Sequence, residues 1–205
     1  MAKGLLMENI IREIFEVQND NFIKSDENFL SEKDLQFNFA RMLEQKHCEN
    51  VILEYPIETE KYNHSDIFNG KNAYIDICCE YGSKKYYIEL KYKTSKKEIT
   101  RHKLKRELKN HYAYYDNIHS IYKDIFRLEQ VVKKENGCGY VLFLTNADYY
   151  KTYPLLEKIK NINNDYPNKP RLNIKGHYGK TDWKEFIKHD DFNYLLVEIL
   201  NNKGE

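Results

Sequence analysis

No run of apolar residues in this 205-residue chain approaches the roughly 18 needed to cross a bilayer, so no membrane-spanning helix is expected. The opening stretch, Met1 to Asn9, has neither a long apolar segment nor a cleavage-type pattern, so no secretory signal is expected either. Cysteine is scarce, with only Cys48, Cys78, Cys79 and Cys138. No two form a CxxC pair and two are neighbours in an apolar run. That argues against a disulfide framework and for reduced core thiols in a cytoplasmic protein. The seven histidines are scattered without ligand spacing, so a zinc site is not expected. There is no GxxxxGK(S/T), no GxGxxG and no GxSxG, which leaves nucleotide-driven and serine-hydrolase chemistry without support. Internal repeats and low-complexity segments are missing too. So is an excess of either charge, since the net charge is +1 and the pI about 7.6.

What is present is the composition of one globular domain. Hydrophobic residues make up 41% and charged residues 32%, enough apolar material for a core and too much for a disordered chain. A single domain over residues 1–205 is expected, with its core at about 31–146 and a C-terminal extension at about 147–205. The balanced charge hides a local imbalance. Between Lys84 and Lys109 stand eleven lysines and arginines against three acids, a local excess of eight positive charges that leaves the rest of the chain at −7. One basic segment on an otherwise acidic molecule suits a polyanion held on one face, with Lys93, Lys96, Lys97, Arg101, Lys103, Lys105 and Arg106 as contacts. The plainer alternative is a solvated, lysine-rich helix.

Periodicity then orders the chain. Met7, Ile10, Ile11, Ile14 and Val17 predict an amphipathic helix over about 5–19. Polar loops follow at 19–21 and 25–28. Ser31 with Asp34 resembles a capping box, and Leu35, Phe39, Met42 and Leu43 predict a second helix over about 32–46. Residues 51–57 read as a strand, with Pro56 marking an edge or an end. After a polar loop at 59–72 come two strands, 74–81 and 86–93, joined as a hairpin around Gly82-Ser83. Residues 98–135 read as long, charged and helical, either one helix or two with a break near Asp116-Asn117. Residues 139–146 read as a buried central strand. A short helix after Pro154, a loop through Pro167–Pro170 and a final strand over 194–200 complete the chain, with Trp183 as an anchor for the C-terminal segment. The order is that of an α/β fold, a mixed sheet flanked by helices.

The residues that carry chemistry lie in Tyr74-Ile75-Asp76-Ile77 and Ile88-Glu89-Leu90-Lys91. Strand side chains alternate, so Glu89 and Lys91 share a face. A turn centred on Ser83-Lys84 would set Asp76 opposite Lys91 and Cys78 opposite Glu89, making Asp76 and Glu89 diagonal neighbours. Two carboxylates on rigid strands can hold Mg²⁺ or Mn²⁺ through oxygen and leave positions for water and a phosphate. A lysine two residues on can orient a water or stabilise a pentacovalent phosphate. An E-x-K triplet alone is weak, because solvated sheet faces often alternate charge. An Asp, a hairpin and an acidic helix start together are more specific.

On these residues the chain resembles the PD-(D/E)XK nuclease superfamily, a restriction-endonuclease-like fold. The resemblance covers residues 31 to about 146. It implies that Asp76 and Glu89 are metal ligands and Lys91 the catalytic lysine. It further implies that Glu32, on the first helix of that span, completes the metal site, with Glu44 a weaker choice. Ile75 stands where the motif has proline. Asp66, in a polar loop, rivals Asp76 for the first acid; the strand-like flanks of Asp76 favour it. The Gln-x-x-x-Tyr helix motif of the RecB-like branch is absent. The blocks Asp124–Glu129 and Leu144–Tyr150 are similar to blocks in uncharacterised bacterial members. Physically, Arg127 and Glu129 read as salt-bridge partners of neighbouring elements, and Asn146 and Asp148 as strand-end residues that turn the chain or touch substrate.

The reading is therefore an Mg²⁺-dependent endonuclease acting on DNA, of bacterial restriction or defence type, as a homodimer if one-site subunits cut both strands. Two alternatives stay open: a nucleic-acid-binding module of the same fold that does not cut, and an immunity- or antitoxin-type interaction subunit. The tyrosine-rich run His111-Tyr112-Ala113-Tyr114-Tyr115 either stacks on bases or covers a core edge.

Overall fold

The computed structural model of the chain describes residues 5–16, 29–58, 72–101, 103–172, 174, 183–185 and 191–200. Two helices open it, α1 (Leu5–Glu16) and α2 (Glu32–Gln45). Three strands follow, β1 (Glu49–Glu58), β2 (Asn72–Tyr81) and β3 (Lys84–Lys93), then a small hairpin of β4 (Lys97–Arg101) and β5 (Leu104–Leu108). The long helix α3 (Tyr114–Glu135) leads into β6 (Cys138–Thr145). Three short helices, α4 (Asp148–Thr152), α5 (Leu155–Lys158) and α6 (Ile162–Asp165), precede β7 (Lys184–Glu185) and β8 (Asn193–Ile199).

The main sheet runs β1-β2-β3-β6-β8-β7. Every neighbouring pair is antiparallel except β3 and β6, which run parallel and are joined by the crossover that contains α3. The expected α/β class with a mixed, helix-flanked sheet is thus present, and Pro56 does lie on an edge strand. Period-2 alternation sends the sheet's two faces to different helices. Ile77, Cys79, Ile88, Leu90 and Leu142 pack with α1 and α2; Cys78, Tyr87, Val141, Phe143 and Val197 pack under α3. Burying each large apolar side chain contributes roughly 1.5–3 kcal/mol. All four cysteines are free thiols, and Trp183 packs edge-on to Phe143 at 5.2 Å. Among the described residues no helix is long and apolar enough to cross a membrane.

Three expectations are corrected. Residues 98–101 and 103–113 are not helical. The register Glu98↔Glu107 and Arg101↔Leu104 makes a hairpin whose buried Ile99 and Leu108 rest on the α1/α2 side of the core. Alternating charge and apolar residues over so short a span fit either period, and burial on the core decided for strand. Helix α3 then runs unbroken from Tyr114, without a break near Asp116-Asn117. The β2–β3 turn is tighter than expected. Gly82 and Ser83 both have positive φ, at 56° and 62°, which is the two-residue turn whose twist suits a hairpin. The ladder is therefore Cys78↔Tyr87 and Ile77↔Ile88. Continuing that register sets Asp76 opposite Glu89 instead of Lys91. The slip is by two residues, which keeps Glu89 and Lys91 on their shared face, but Ile75 packs on the α3 side and Ile77 on the α2 side, so the alternation of β2 breaks around Asp76. The helix expected to reach residue 19 is described as far as Glu16; residues 17–28, and the loop at 59–71 with Asp66, lie outside the described residues.

Candidate active site

Strands β2 and β3 part after Ile77↔Ile88, and the site forms in the gap. Parting leaves amides of β3 without a strand to bond, and each needs an acceptor. Two carboxylates supply them. Asp76 Oδ2 accepts from the Leu90 amide at 2.7 Å, and Glu32 Oε2, from the first turn of α2, accepts from the Tyr92 amide at 2.9 Å. Gln36, one turn along α2, donates to the Asp76 carbonyl at 2.6 Å and to Glu54 at 3.2 Å. Helix α2 is aimed by its cap: the Asp34 amide donates to Ser31 Oγ at 3.2 Å, and Asp34 Oδ2 accepts from the Leu30 amide at 2.9 Å.

From the other side, α3 covers Glu89 and Lys91. Neither is a solvated strand residue: Glu89 is 1% exposed and Lys91 9%. Arg127 Nε donates to Glu89 Oε1 at 2.7 Å, and its Nη2 reaches Asp124 Oδ1 at 2.9 Å. Asp124 Oδ2 pairs with the Lys91 ammonium at 2.6 Å. Glu89, Arg127, Asp124 and Lys91 thus form a buried chain of alternating charge between strand and helix.

The electrostatics are those of a crowded acid cluster. Burial pushes the Asp76 carboxyl up, against the pull of the Leu90 amide and Lys91. Burial also pushes Glu89 well above the usual carboxylate range; Arg127 opposes the rise, while Asp124 and Asp76 add to it. The two carboxyl groups are close enough that the charge of Asp76 adds to the rise of Glu89. Lys91 moves the other way from what burial alone would cause, because Asp124, Glu32 and Glu89 hold it charged. Lys93, half-buried one step further along the same face, is depressed by burial.

The structure thus brings Asp76, Glu89 and Lys91 together and places Glu32 on the adjacent amide, within electrostatic reach of Lys91. Glu44 stands exposed in the last turn of α2, about three turns from Glu32, and takes no part. Sequence reasoning gave Asp124 and Arg127 no place at this centre. It did expect Arg127 to bridge to a neighbouring element, and that element is β3. A usable signal existed: Asp124 falls between Ile121, Ile125 and Leu128 on the apolar stripe of α3, where a charge needs a buried partner.

The expected nucleic-acid contacts spread out from here. Lys93 adjoins the centre. Lys96 pairs with Glu107 at 2.9 Å, Lys105 with Glu98 at 2.8 Å and Lys97 with Asp191, while Lys103 and Arg106 are exposed on the β4–β5 hairpin. Arg101 ends β4; its side chain is outside the described part. Asn146 accepts from the Ser95 amide at 2.8 Å, tying the exits of β3 and β6 together.

The donors at the centre are hard carboxylate oxygens, which suit Mg²⁺ or Mn²⁺ and not a soft metal. Among the described residues no three or more His, Cys, Asp or Glu side chains gather into a complete metal site. Comparison of the chain with protein-family models, with curated proteins and with solved structures finds no match.

Proposed function

We propose that this protein is a metal-dependent nuclease that hydrolyses phosphodiester bonds, with Asp76 and Glu89 as cation ligands and Lys91 as the charged partner of the water or the phosphate. One observation carries the reading: Asp76 on the Leu90 amide and the buried Glu89 on Arg127 stand at the parting of two strands, beside a buried lysine held by Asp124. A fold gains no stability from burying like charges together. Such a cluster is characteristic of a site tuned for chemistry. The arrangement of helix, three-strand meander, helix and parallel strand also fits the resemblance to PD-(D/E)XK nucleases.

Each residue then has a task. Asp76 and Glu89 would hold the ion, which supplies polarisation of the phosphate and an acidified water. Lys91, fixed by Asp124, presents a positive charge where negative charge builds on phosphate oxygens. Glu32 caps the Tyr92 amide and so keeps β3 straight behind Lys91. The basic face beyond Lys93 would follow the phosphate backbone.

The test is cleavage of plasmid, linear and single-stranded DNA with Mg²⁺ or Mn²⁺. Wild type is expected to cut, Asp76→Ala and Lys91→Ala to lose at least about 100-fold, and Glu44→Ala to retain activity. Full activity in both site variants would overturn the assignment. A second reading, a module that binds nucleic acid without cutting, is favoured by the Arg127 contact, which already neutralises Glu89. It predicts salt-sensitive binding with no metal requirement and no cleavage.

A further inference from the structure

The tyrosine-rich run after β5 divides sharply. Tyr114 lies against Tyr149 with ring centroids 4.3 Å apart, and Tyr115 lies against Tyr166 at 4.3 Å. Their rings are occupied with holding α3 to α4 and α6. Tyr112 differs: it is 72% exposed, more than any other large hydrophobic side chain among the described residues, and no ring contact there involves it.

Its backbone is nonetheless fixed. The His111 amide donates to the Thr94 carbonyl at 2.9 Å, and the Thr94 amide donates back to His111 Nδ1 at 3.0 Å. On the other side the Tyr114 amide donates to the Tyr112 carbonyl at 2.8 Å. Tyr112 is therefore an aromatic ring held out to solvent from a pinned backbone. The pin connects it to the candidate centre. Thr94 follows Lys93 on β3, and Lys91 lies three residues before Thr94, roughly 10 Å away along a strand. Cations accompany the path. His111 feels the charges of Lys93 and Lys109, and Lys96 lies close enough to the Tyr112 hydroxyl to feel it. The Lys96–Glu107 pair is solvent-exposed, so a phosphate can displace the glutamate at little cost.

We infer that Tyr112 is a stacking platform for an unpaired base, and that the polyanion this face takes is single-stranded nucleic acid. A ring stacked on a base needs that base's face. In a duplex both faces are covered by neighbouring base pairs. Lys93, Lys96 and Lys109 supply the backbone attraction, and Tyr112 supplies the selection for an unpaired nucleotide a few positions from the acid pair. This rests on the nucleic-acid part of the reading above and needs no cleavage.

The experiment is fluorescence anisotropy in EDTA, so that cutting plays no part. Fluorescent single-stranded DNA, single-stranded RNA and blunt duplex DNA of one sequence are titrated with wild type, Tyr112→Ala and Tyr112→Trp. Wild type is expected to bind one or both single strands more tightly than the duplex. Tyr112→Ala should weaken single-strand binding at least about five-fold and leave duplex binding and the thermal midpoint unchanged; Tyr112→Trp should restore it. Preference for one single strand over the other identifies the sugar. Equal affinity for duplex and single strand, or no loss in Tyr112→Ala, would overturn the inference while leaving the nuclease reading standing. No binding of any nucleic acid would overturn both.

Discussion

Glu89 has almost no contact with water, and its neighbours are an arginine and a second carboxyl group. Removing the arginine takes from Glu89 and Asp124, both buried, the donor they share. Arg127→Ala should therefore destabilise the protein by about 3–5 kcal/mol in urea unfolding at neutral pH. The loss should shrink toward acidic pH, where Glu89 can take up a proton. Asp76 gives the complementary case. Its carboxyl holds a proton more tightly in the folded chain than in the unfolded one. Between the ordinary carboxylate value of about 4 and the folded value, the folded state binds more protons, so stability falls as pH rises through that window. Asp76→Asn keeps an oxygen for the Leu90 amide and removes the repulsion. Without metal it should be more stable than wild type at neutral pH, by a margin that vanishes near pH 4, and it should be inactive. A variant less stable than wild type across the range would count against like-charge crowding at the site. Asp76, Glu89 and Lys91 were legible because strand alternation is local. Their helix partners were not, because which strand residue α3 covers is set by the crossover and not by any spacing in the chain.

At the scale of elements, two positions set how the site's supports meet. Ser83 adopts a left-handed conformation that costs a non-glycine residue roughly 1–2 kcal/mol. Ser83→Gly should recover part of this, about 0.5–1 kcal/mol, measured by the unfolding midpoint. Gly139 lies on β6 against Val132 of α3. A Cβ there would meet Val132 Cγ2 at 2.7 Å and Ile199 Cβ at 3.2 Å. Gly139→Ala should cost about 1–3 kcal/mol. Because α3 carries Asp124 and Arg127, it should also lower the proposed activity more than its stability loss at the assay temperature explains. Unchanged stability would mean α3 shifts freely, contrary to a site built on its seating. Helix α2 and strands β1, β2, β3, β6 and β8 were legible from period and caps, and so was the end of α3, whereas its start was set about 16 residues too early and a break was allowed for within it. The β4–β5 hairpin was not: its apolar residues, Ile99, Leu104 and Leu108, are too few to separate a period of 2 from 3.6. Only the packing of Ile99 and Leu108 on the core decides.

For the whole molecule, charge is the relevant quantity. The local excess of eight positive charges already counts Glu98 and Glu107, which pair with Lys105 and Lys96 at the surface, and Asp191 from outside the segment takes Lys97. Exposed pairs of this kind contribute little stability and open readily to a stronger anion. Replacing Lys103, Lys105 and Arg106 together with alanine should leave stability nearly unchanged. It should flatten the salt dependence of nucleic-acid binding, by up to about 0.7–0.9 in slope for each phosphate no longer neutralised. An unchanged slope would place the polyanion elsewhere.

The central claim is that Asp76 and Glu89 form a cation site and not a structural knot. Calorimetric titration of the metal-free protein with Mn²⁺ tests it without assuming a substrate. Binding that is abolished in Asp76→Ala and in Glu89→Gln, and unchanged in Glu44→Ala, is the predicted result. No binding by wild type, or binding that survives both substitutions, would contradict it.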